Sequence, residues 1–441
     1  MYPGALLAQE ACSYQAMTQI LSGFQGNLAV LVHSDRDCSN VISKIPDSQL
    51  HAPAKATGTR PPPTLPYRFL CTNLTEDEIV TGQGNSKLRR GIELIHEEWN
   101  PELIIVLSTC PTVMVGDNIK NVTRKAAKDL NIKVVCQITH GLSPKSPAEV
   151  VDKFFVLLSQ YAERSDINRK MRVNLVGMGA RPNETIEFKN ILSEFGITVN
   201  SVIDNNSTLE DFKRLGQAQF NIHPGPNMLL EFDEYCRKNL GIEPIEVPLP
   251  FGLSATNEFY EAICATFNIP QDTTTAVLDK YRTAGAQGVE AFHAKYTSDR
   301  PLLVSYNIGS GRSFELRRIA LEELGQKRFL DDLNIQSVLF LQGPKDEANV
   351  QRVATVLRDL GIHEEFIIFS DPGQLSHYIK PGYFACFLGE DFLANELSKI
   401  ELNLLQKQAL EMGYASIASN ISKLEAAMND DFHSLFKINN G

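Results

Sequence analysis

The sequence has 441 residues, and its 42 Lys and Arg against 53 Asp and Glu give a formal net charge of −11. An acidic chain of this kind repels phosphate-rich surfaces, which excludes nucleic acid and anionic membranes as main partners. The length suffices for about three domains. The hydrophobic fraction of 43% and the charged fraction of 22% are typical of a folded globular protein rather than of a disordered one.

Targeting and membrane signals are not evident in the sequence. No apolar run approaches the roughly 18 residues that a membrane helix needs. The first residues lack the basic and apolar pattern of a signal peptide. The 8 cysteines are too sparse for a disulfide scaffold, so we expect a cytoplasmic protein with reduced thiols, in which any special cysteine is a metal ligand or a reactive group.

Short strands rich in β-branched residues recur along the chain, each followed by a helical pattern, which is typical of parallel sheets with crossover helices. They fall into three sets, at residues 28–33, 103–109 and 133–138; at 172–179, 197–203, 218–222 and 245–250; and at 337–342, 365–369 and 384–388. The sequence therefore predicts an α/β fold of three Rossmann-like domains, each a mostly parallel sheet flanked by helices. We place these domains at residues 1–165, 166–290 and 291–441.

The connecting segments are also predicted. Residues 143–169 read as a helix that leaves the first domain, residues 271–299 as helices that link the second to the third, and residues 394–428 as two helices broken near Gly413. The proline-rich residues 46–66 read as an exposed loop.

Two strand-helix-strand units look like copies of one unit, because residues 172–197 and 336–362 have nearly the same length. Each helix ends at a glycine, Gly196 or Gly361, where a left-handed residue belongs. The alternative is that any two such units look alike.

Several common catalytic motifs are absent. The chain has no Cys-x-x-Cys pair, no His-Glu-x-x-His, no Gly-x-x-x-x-Gly-Lys-Ser/Thr and no Gly-x-Ser-x-Gly. We therefore expect no zinc ribbon and no ATP hydrolysis by this chain. Gly177 and Gly179 follow a strand as in a dinucleotide fingerprint, but the third glycine is missing, which favours a tight strand-to-helix turn.

The positions of three cysteines are the most informative feature. Cys38 and Cys110 come shortly after predicted strands, at the sheet edge where open α/β sheets bind ligands. Asp117 is predicted to cap a helix that begins near Ile119, and the positive helix start would favour a thiolate there. Cys12 precedes a helix that leads into the first strand, so three thiols can converge and suit an iron-sulfur cluster. The alternative is that they are small buried apolar residues.

The other cysteines are assigned differently. Cys71 lies just before a predicted helix start, and both the sheet edge and the core stay open for it. Four are predicted to belong to the core, namely Cys136, Cys236, Cys264 and Cys386.

Four segments resemble the nitrogenase component one family, which includes nitrogenase, its cofactor-assembly scaffold, dark-operative protochlorophyllide reductase and methylthio-alkane reductase. After Cys12, residues 33–38 (HSDRDC) resemble the family's His-Gly-Pro/Ser-x-Gly-Cys. Residues 74–82 (LTEDEIVTG) resemble its Leu-x-Glu-x-Asp-x-Val-x-Gly pattern, and residues 108–119 (STCPTVMVGDNI) resemble its third cysteine segment. Residues 248–259 (PLPFGLSATNEF) resemble its Pro-x-Pro-x-Gly-x-x-x-Thr-Asp-x-Phe.

The resemblance implies that Cys12, Cys38 and Cys110 bind an iron-sulfur cluster, either 8Fe-7S and P-cluster-like or 4Fe-4S. The cluster would be shared with, or face, a homologous α-like subunit in an α2β2 heterotetramer. A separate ATP-hydrolysing 4Fe-4S reductase homodimer would deliver the electrons, which accounts for the missing phosphate loop.

This sequence also departs from the family pattern. Ser34 and Asp37 replace family glycines, so the cluster type can differ. The cofactor-holding subunit of the family has a cysteine near the position of Gly225, where this chain has none; His223 can be read as a substitute ligand or as a structural residue. We therefore expect a β-like subunit that relays electrons to a large metallocofactor in its partner.

Two features of the sequence bear on the substrate. The eleven residues before Cys12 and the charged residues 35–37 favour a substrate other than dinitrogen, such as a methylthio-alkane whose carbon-sulfur bond is reduced. The alternatives are a cofactor-assembly scaffold, a tetrapyrrole reductase subunit, and an α/β protein of unrelated binding function.

Overall fold

The structure is a computed structural model, and its description covers residues 14, 17–18, 20–21, 24–36, 38, 68–140, 147–163, 168–179, 181–204, 207–225, 229–296, 301–307, 325–359, 362–363, 365–380, 382–389, 393–406 and 409–429. These residues form three sheets with helices packed on their faces, and every strand pairing among them is parallel. The predicted α/β class with mostly parallel sheets is therefore confirmed. Among the described helices, we find none with the length and apolar character needed to span a bilayer.

The first sheet contains four strands in the order β2-β1-β3-β4. They are β1 (Leu28–His33), β2 (Arg68–Cys71), β3 (Leu103–Ser108) and β4 (Val134–Ile138). The central strands β1 and β3 are buried at all six positions because both faces of the sheet are covered. Val30 and Val32 belong to one core and Leu31 to the other, as the two-residue period of a strand requires.

Helices around this sheet supply both cores. They are α1 (Glu76–Val80), α2 (Gly84–Trp99), α3 (Cys110–Met114), α4 (Ile119–Leu130) and α5 (Pro147–Ser159). Helices α2 and α4 cover the face that includes Leu31. Helix α5 covers the opposite face, where Phe154 and Phe155 also meet Phe212 and Phe232 of the second layer. The first two layers therefore share one continuous core.

The second sheet repeats the strand order of the first, as β6-β5-β7-β8. Its strands are β5 (Arg172–Val176), β6 (Thr198–Ile203), β7 (Phe220–Pro224) and β8 (Glu243–Val247). Its helices are α6 (Pro182–Glu194), α7 (Leu209–Arg214), α8 (Leu230–Tyr235), which continues as a π-helical turn over Cys236–Leu240, and α9 (Gly252–Thr266). In both sheets the first strand has the second on one side and the third on the other.

The third sheet has five strands in the order β11-β10-β9-β12-β13. They are β9 (Leu302–Asn307), β10 (Ser337–Gln342), β11 (Phe366–Phe369), β12 (Phe387–Gly389) and β13 (Leu404–Gln406). Its helices are α11 (325–332), α12 (Glu347–Asp359), α13 (Leu375–Tyr378), α14 (Ala394–Lys399) and α15 (Ile417–Asn429). One large core joins this sheet to the second.

Helix α10 (Gln271–Lys295) connects the second layer to the third as one continuous helix of 25 residues, where the sequence predicted more than one helix. Helix α15 packs on it closely: a Cβ at Gly285 would lie 2.6 Å from Ile417 Cδ1. The small residue at position 285 therefore permits the two helices to approach.

Two sequence predictions need correction. The helical pattern predicted for residues 394–428 is interrupted by β13, whose Leu404 and Leu405 pair with β12; α15 begins only after Gly413, the predicted break. Strands β2, β9 and β13 were not predicted. The two similar units occupy corresponding places, because β5 and β6 form the edge pair of the second sheet and β10 and β11 form the edge pair of the third. They differ only in chain order, since β5 is the first strand of its sheet and β10 the second of its own. The domain boundaries stay a prediction, and residues 46–66 lie outside the described residues.

Candidate functional site

The strand order of the first sheet places a switch point, and with it a crevice, at the carboxyl edge between β1 and β3. The chain leaves β1 toward β2 on one side and leaves β3 toward β4 on the other, so the loops after β1 and β3 diverge. Such a switch point is where open α/β sheets bind ligands. Cys38 lies in the connection after β1, called the Cys38 loop, which is helical at Arg36 and Cys38. Cys110 is the first residue of α3, two residues after the end of β3. Two of the three predicted site cysteines therefore lie on loops that flank one crevice, whereas Cys12 lies outside the described residues.

The backbone carbonyl of His33 joins these two loops. In the paired strands His33 lies opposite Ser108. Its carbonyl oxygen accepts hydrogen bonds from the Thr109 amide at 3.3 Å and from the hydroxyls of Thr109 and Thr112 at 3.4 Å and 3.2 Å. The start of the segment that contains Cys110 is thereby held against the end of β1.

The imidazole of His33 makes a second connection. Its Nε2 lies 3.0 Å from Asp117 Oδ2, and its Nδ1 lies 3.2 Å from the Thr72 hydroxyl. The ring is fully buried, and Asp117 is 5% exposed. Burial lowers the pKa of His33, although the hydrogen bond to Asp117 opposes the shift. The ring is therefore neutral at pH 7 and can donate from one nitrogen while it accepts at the other.

The predicted role of Asp117 as a helix cap is wrong. The residue that caps α4 is Asn118, whose side chain makes no capping bond, whereas the carboxylate of Asp117 points to His33. Asp117 can approach because position 84 is glycine: a Cβ there would lie 2.0 Å from Asp117 Oδ2. His33, Thr72 and Thr112 are thus site residues that the sequence did not identify as such. Local sequence gives no signal for them, because the fold brings them together from the end of β1, the residue after β2 and helix α3.

The Cys38 loop is held from both sides. The Cys38 amide donates to Asp35 Oδ1 at 3.3 Å, and its carbonyl accepts a hydrogen bond from the Tyr14 hydroxyl at 2.9 Å. Tyr14 lies two residues along the chain from Cys12. This bond ties the N-terminal segment to the same loop.

Cys71 ends β2 at the same edge, opposite Val32. Its sulfur lies 3.8 Å from the Asp35 carbonyl oxygen and accepts a hydrogen bond from the Asn73 amide at 3.3 Å. Both Cys71 and Cys38 pack against the core shared by the first two layers. Of the two places that the sequence left open for Cys71, the structure gives the sheet edge.

The remaining described cysteines belong to the cores, as predicted. Cys236, Cys264 and Cys386 are buried, and the half-buried Cys136 packs against the second core of the first layer. Burial raises the pKa of Cys136 and of Cys264 to about 11. Burial also raises the pKa of Cys236 and Cys386. These thiols are therefore protonated at pH 7, which suits core residues and not metal ligands.

The carboxyl edge of the second sheet carries different residues. His223 is buried, and its Nε2 lies 2.7 Å from Asp233 Oδ1, which accounts for it as a structural residue. Gly177 and Gly179 have φ values of 67° and 62°, as a tight turn between β5 and α6 requires. A Cβ at Gly225 would lie 3.2 Å from Cβ of Glu246, so a larger residue would disturb β8.

The donor set at the first crevice fits part of an iron-sulfur site. Thiolates are the ligands that such clusters prefer, and Cys38 and Cys110 supply two of them from adjacent loops. Within the described residues, no group of three or more His, Cys, Asp and Glu side chains is arranged to hold a metal ion. A complete cluster would therefore need ligands beyond these two, from Cys12 or from another chain.

Comparisons with known proteins bear on this geometry. The family model "Nitrogenase component 1 type Oxidoreductase" matches residues 12–327. The nitrogenase molybdenum-iron protein alpha chain of Methanosarcina barkeri is 23% identical over 263 residues, which cover 58% of this chain and 48% of that protein. The cofactor biosynthesis protein NifE of a Nostoc species is 25% identical over 260 residues, with 56% and 52% coverage.

A light-independent protochlorophyllide reductase polypeptide of Prosthecochloris aestuarii is 24% identical over 198 residues, which cover 43% of this chain and 37% of that protein. The chain thus spans about half the length, or less, of these curated relatives. Among solved structures, "Nitrogenase Cp1 at pH 6.5" superimposes with a TM-score of 0.72 at 15% identity, covering 99% of this chain and 92% of that one. This likeness establishes the shared fold.

Proposed function

The chain belongs to the nitrogenase component 1 type oxidoreductase family, and from this premise we propose that it is the β-like subunit of the catalytic component of a two-component, ATP-dependent, nitrogenase-like reductase. One observation carries the proposal: the loops of Cys38 and Cys110 flank a single crevice at the switch point of the first sheet. In this proposal Cys12, Cys38 and Cys110 bind the iron of an 8Fe-7S or 4Fe-4S cluster.

The cluster, when bound, would accept and pass on single electrons. The residues of this chain would hold the cluster. Cys38 and Cys110 would be its ligands, and His33 and Asp35 fix the two loops through hydrogen bonds. The core below the crevice, which includes Val32 and Phe154, excludes water from one side. A low dielectric on that side would strengthen the thiolate-iron interactions.

The remaining parts of the complex belong to other chains in this proposal. The partner is a homologous α-like subunit in an α2β2 heterotetramer that holds the large metallocofactor, and an ATP-hydrolysing 4Fe-4S reductase homodimer supplies the electrons. The assignment of this chain as β-like rests on the second sheet. The described residues of the loop after β7 offer no thiol there, and His223 is engaged with Asp233.

For the substrate we propose a methylthio-alkane. Two electrons and two protons would convert such a thioether into a thiol and a hydrocarbon. The charged residues 35–37 after β1 favour a substrate other than dinitrogen. The buried Ser34, which replaces a glycine of the family motif and donates a hydrogen bond to the Asp35 carbonyl at 2.6 Å, favours a different cluster type. Tetrapyrrole reduction is the alternative substrate class, favoured by the likeness to a protochlorophyllide reductase polypeptide.

A second candidate function is that of a cofactor-assembly scaffold, favoured by the likeness to NifE. Both functions use the same fold, so the distinguishing measurement is turnover. The chain is purified anaerobically with its co-expressed homologous partner, iron and sulfide are counted, and reductase, ATP and a methylthio-alkane are added. We expect bound iron and hydrocarbon formation. Iron without turnover favours the scaffold, and a complex without iron contradicts both functions.

A further inference from the structure

We propose that His33, Thr72 and Asp117 form a buried brace that sets the separation between the Cys38 loop and the Cys110 segment. These three are positioning residues, because they act on the cluster through the backbone of the two cysteine segments. The inference rests on the proposed function and extends it to side chains that nothing in the comparisons assigns.

The brace links three strand-end loops at one edge. His33 ends β1, Thr72 directly follows β2, and Asp117 follows α3. His33 Nε2 lies 3.0 Å from Asp117 Oδ2 and Nδ1 lies 3.2 Å from Thr72 Oγ1, while the Ser34 amide donates to the same hydroxyl at 3.0 Å. Asp117 lies seven residues after Cys110, and His33 five residues before Cys38.

The protons of the brace can all be assigned. A neutral imidazole donates from Nε2 to the carboxylate and accepts the Thr72 hydroxyl proton at Nδ1. The same hydroxyl lies 3.1 Å from the Ser34 carbonyl, but its single proton serves one acceptor at a time. Each ring nitrogen therefore has a partner, and removing one partner would leave a buried donor or acceptor of the ring without a hydrogen bond.

The absence of a side chain at Gly84 leaves the space that the Asp117 carboxylate occupies when it bonds to His33. The first residue of α2 lies so close to Asp117 that any Cβ would overlap the carboxylate, at 2.0 Å from Oδ2. The carboxylate also lies beside the N-terminus of a helix of 16 residues, where partial positive charge favours it. The Asn118 amide donates to Asn85 Oδ1 at 2.8 Å, which holds the same two segments together a second time.

Metal sites depend on such supporting bonds. Ligands must be held to within about 0.5 Å of the productive geometry, and loss of a supporting hydrogen bond typically weakens metal binding about 10–100-fold. Because the brace and the His33 carbonyl fix both cysteine segments to the end of β1, a change at Asp117 would move Cys110 relative to Cys38.

The test uses Asp117→Ala, Asp117→Asn and Gly84→Ala in the full chain co-expressed with its partner. Asparagine keeps an oxygen that accepts from His33 Nε2, so this conservative variant should restore what alanine removes. Gly84→Ala displaces the carboxylate without changing its chemistry. Gly288→Ala is the matched control, because its Cβ would make only ordinary contact, at 3.5 Å from Ile421 Cδ1.

Three readouts are measured anaerobically: iron per chain at limiting iron, the electron paramagnetic resonance signal, and the cluster's midpoint potential. We expect Asp117→Ala and Gly84→Ala to need about 10-fold more iron for half-loading and to show an altered signal and potential. Asp117→Asn and Gly288→Ala should match the unmodified protein. Thermal unfolding of the iron-free chains shows whether each variant folds.

The outcomes separate the inference from the proposed function. If Asp117→Ala and Gly84→Ala fold and load iron with an unchanged signal and potential, the brace is merely structural and the inference is overturned. If Asp117→Ala fails to fold, Gly84→Ala decides by the same criterion, and failure of both to fold also overturns the inference. If the unmodified complex binds no iron, the proposed function fails. The same variants are then compared for cross-linking of Cys38 to Cys110 by o-phenylenedimaleimide, and equal yields overturn the inference.

Discussion

The first two sheets share a strand order but differ in what occupies the crevice at their carboxyl edges. In the first sheet, Cys38 and Cys110 lie on the loops that flank the crevice. In the second sheet, the loop after β5 carries Gly177 and Gly179, and His223, which is hydrogen-bonded to Asp233, lies near the end of β7. The same topology thus produces two crevices, and among the described residues the thiols flank the first.

The second edge is also filled by the chain itself. Arg181, which precedes α6, pairs with Glu411 at 2.5 Å. Glu184 accepts a hydrogen bond from the Met412 amide at 2.8 Å, and Glu187 accepts one from the Tyr414 amide at 2.6 Å. A topological switch point therefore only provides a place where binding can occur. The residues at that place determine whether it binds a ligand or a segment of its own chain.

The largest effect that we predict concerns cluster binding at the carboxyl edge of the first sheet. Cys110→Ala should abolish the spectroscopic signal of the cluster, because it removes one of the proposed thiolate ligands. Cys136→Ala is the control, since Cys136 lies within β4 of the same sheet and away from the crevice. Retention of full iron and signal in Cys110→Ala would remove Cys110 from the ligand set.

The second prediction tests how much the contacts of residues 411–414 with the second sheet's carboxyl edge contribute to stability. Gly413 has a φ of 89°, and a Cβ there would lie 2.6 Å from Glu187 Oε1. Gly413→Ala should lower the free energy of unfolding by about 2–4 kcal/mol, through backbone strain and displacement of the half-buried Glu187 carboxylate. Urea denaturation measures this change, and iron content should stay the same.

Gly382→Ala is the matched control for this prediction. Gly382 has a φ of 77° but nothing within 4 Å of its Cβ position, so alanine there tests backbone strain alone. Equal losses in the two variants would show that the contact with Glu187 contributes nothing.

The third prediction concerns the junction between the two layers. Asp152 of α5 accepts hydrogen bonds from the amides of Glu231 and Phe232, both at 2.8 Å, at the start of α8. Burial raises the pKa of Asp152 to about 6, and the charges of Glu231 and Asp233 add to the shift.

Because the pKa of Asp152 in the folded protein exceeds its value in the unfolded chain, folding takes up a proton as the pH falls through 6. The free energy of unfolding should therefore rise by about 1 kcal/mol between pH 7 and pH 5 relative to Asp152→Asn, which cannot titrate. Chemical denaturation at both pH values measures this difference. Parallel pH profiles for the two proteins would contradict the assignment.

The smallest predicted effect tests whether Cys71, unlike Cys38 and Cys110, is a cysteine of the first edge that does not bind iron. Cys71→Ser keeps an acceptor for the Asn73 amide, so the free energy of unfolding should change by less than about 0.5 kcal/mol. Iron content should also stay unchanged if Cys71 is no ligand. A loss of iron comparable to that of Cys110→Ala would add Cys71 to the ligand set.

The sequence allowed the sheet edge to be predicted but not the contacts across it. Strands β1 and β3 are long aliphatic runs, so the placement of Cys38 and Cys110 at one edge followed from the geometry of a parallel sheet. Strand β13 has only three residues within a helical pattern, and its structure depends on pairing with β12. Local periodicity gives no signal for such a strand.

The brace could not have been predicted for a related reason. His33 and Asp117 lie 84 residues apart, and local spacing pointed to a capping role for Asp117. Their contact depends on how closely the start of α2 approaches, which Gly84 determines. The sequence shows that residue 84 is glycine, but only the packed structure shows which carboxylate makes use of the space.

The hydrogen bonds of the second edge have a consequence for synthesis on the ribosome. Glu184 is synthesised 228 residues before Met412, whose amide donates a hydrogen bond to its carboxylate. Glu187 is likewise synthesised long before its two donors, the amides of Tyr414 and Ala415. A nascent chain therefore exposes these carboxylates without those donors until residues 412–415 have been added. The second layer can reach its final packing only after those residues leave the ribosome, while the β1–β4 sheet can assemble well before that point.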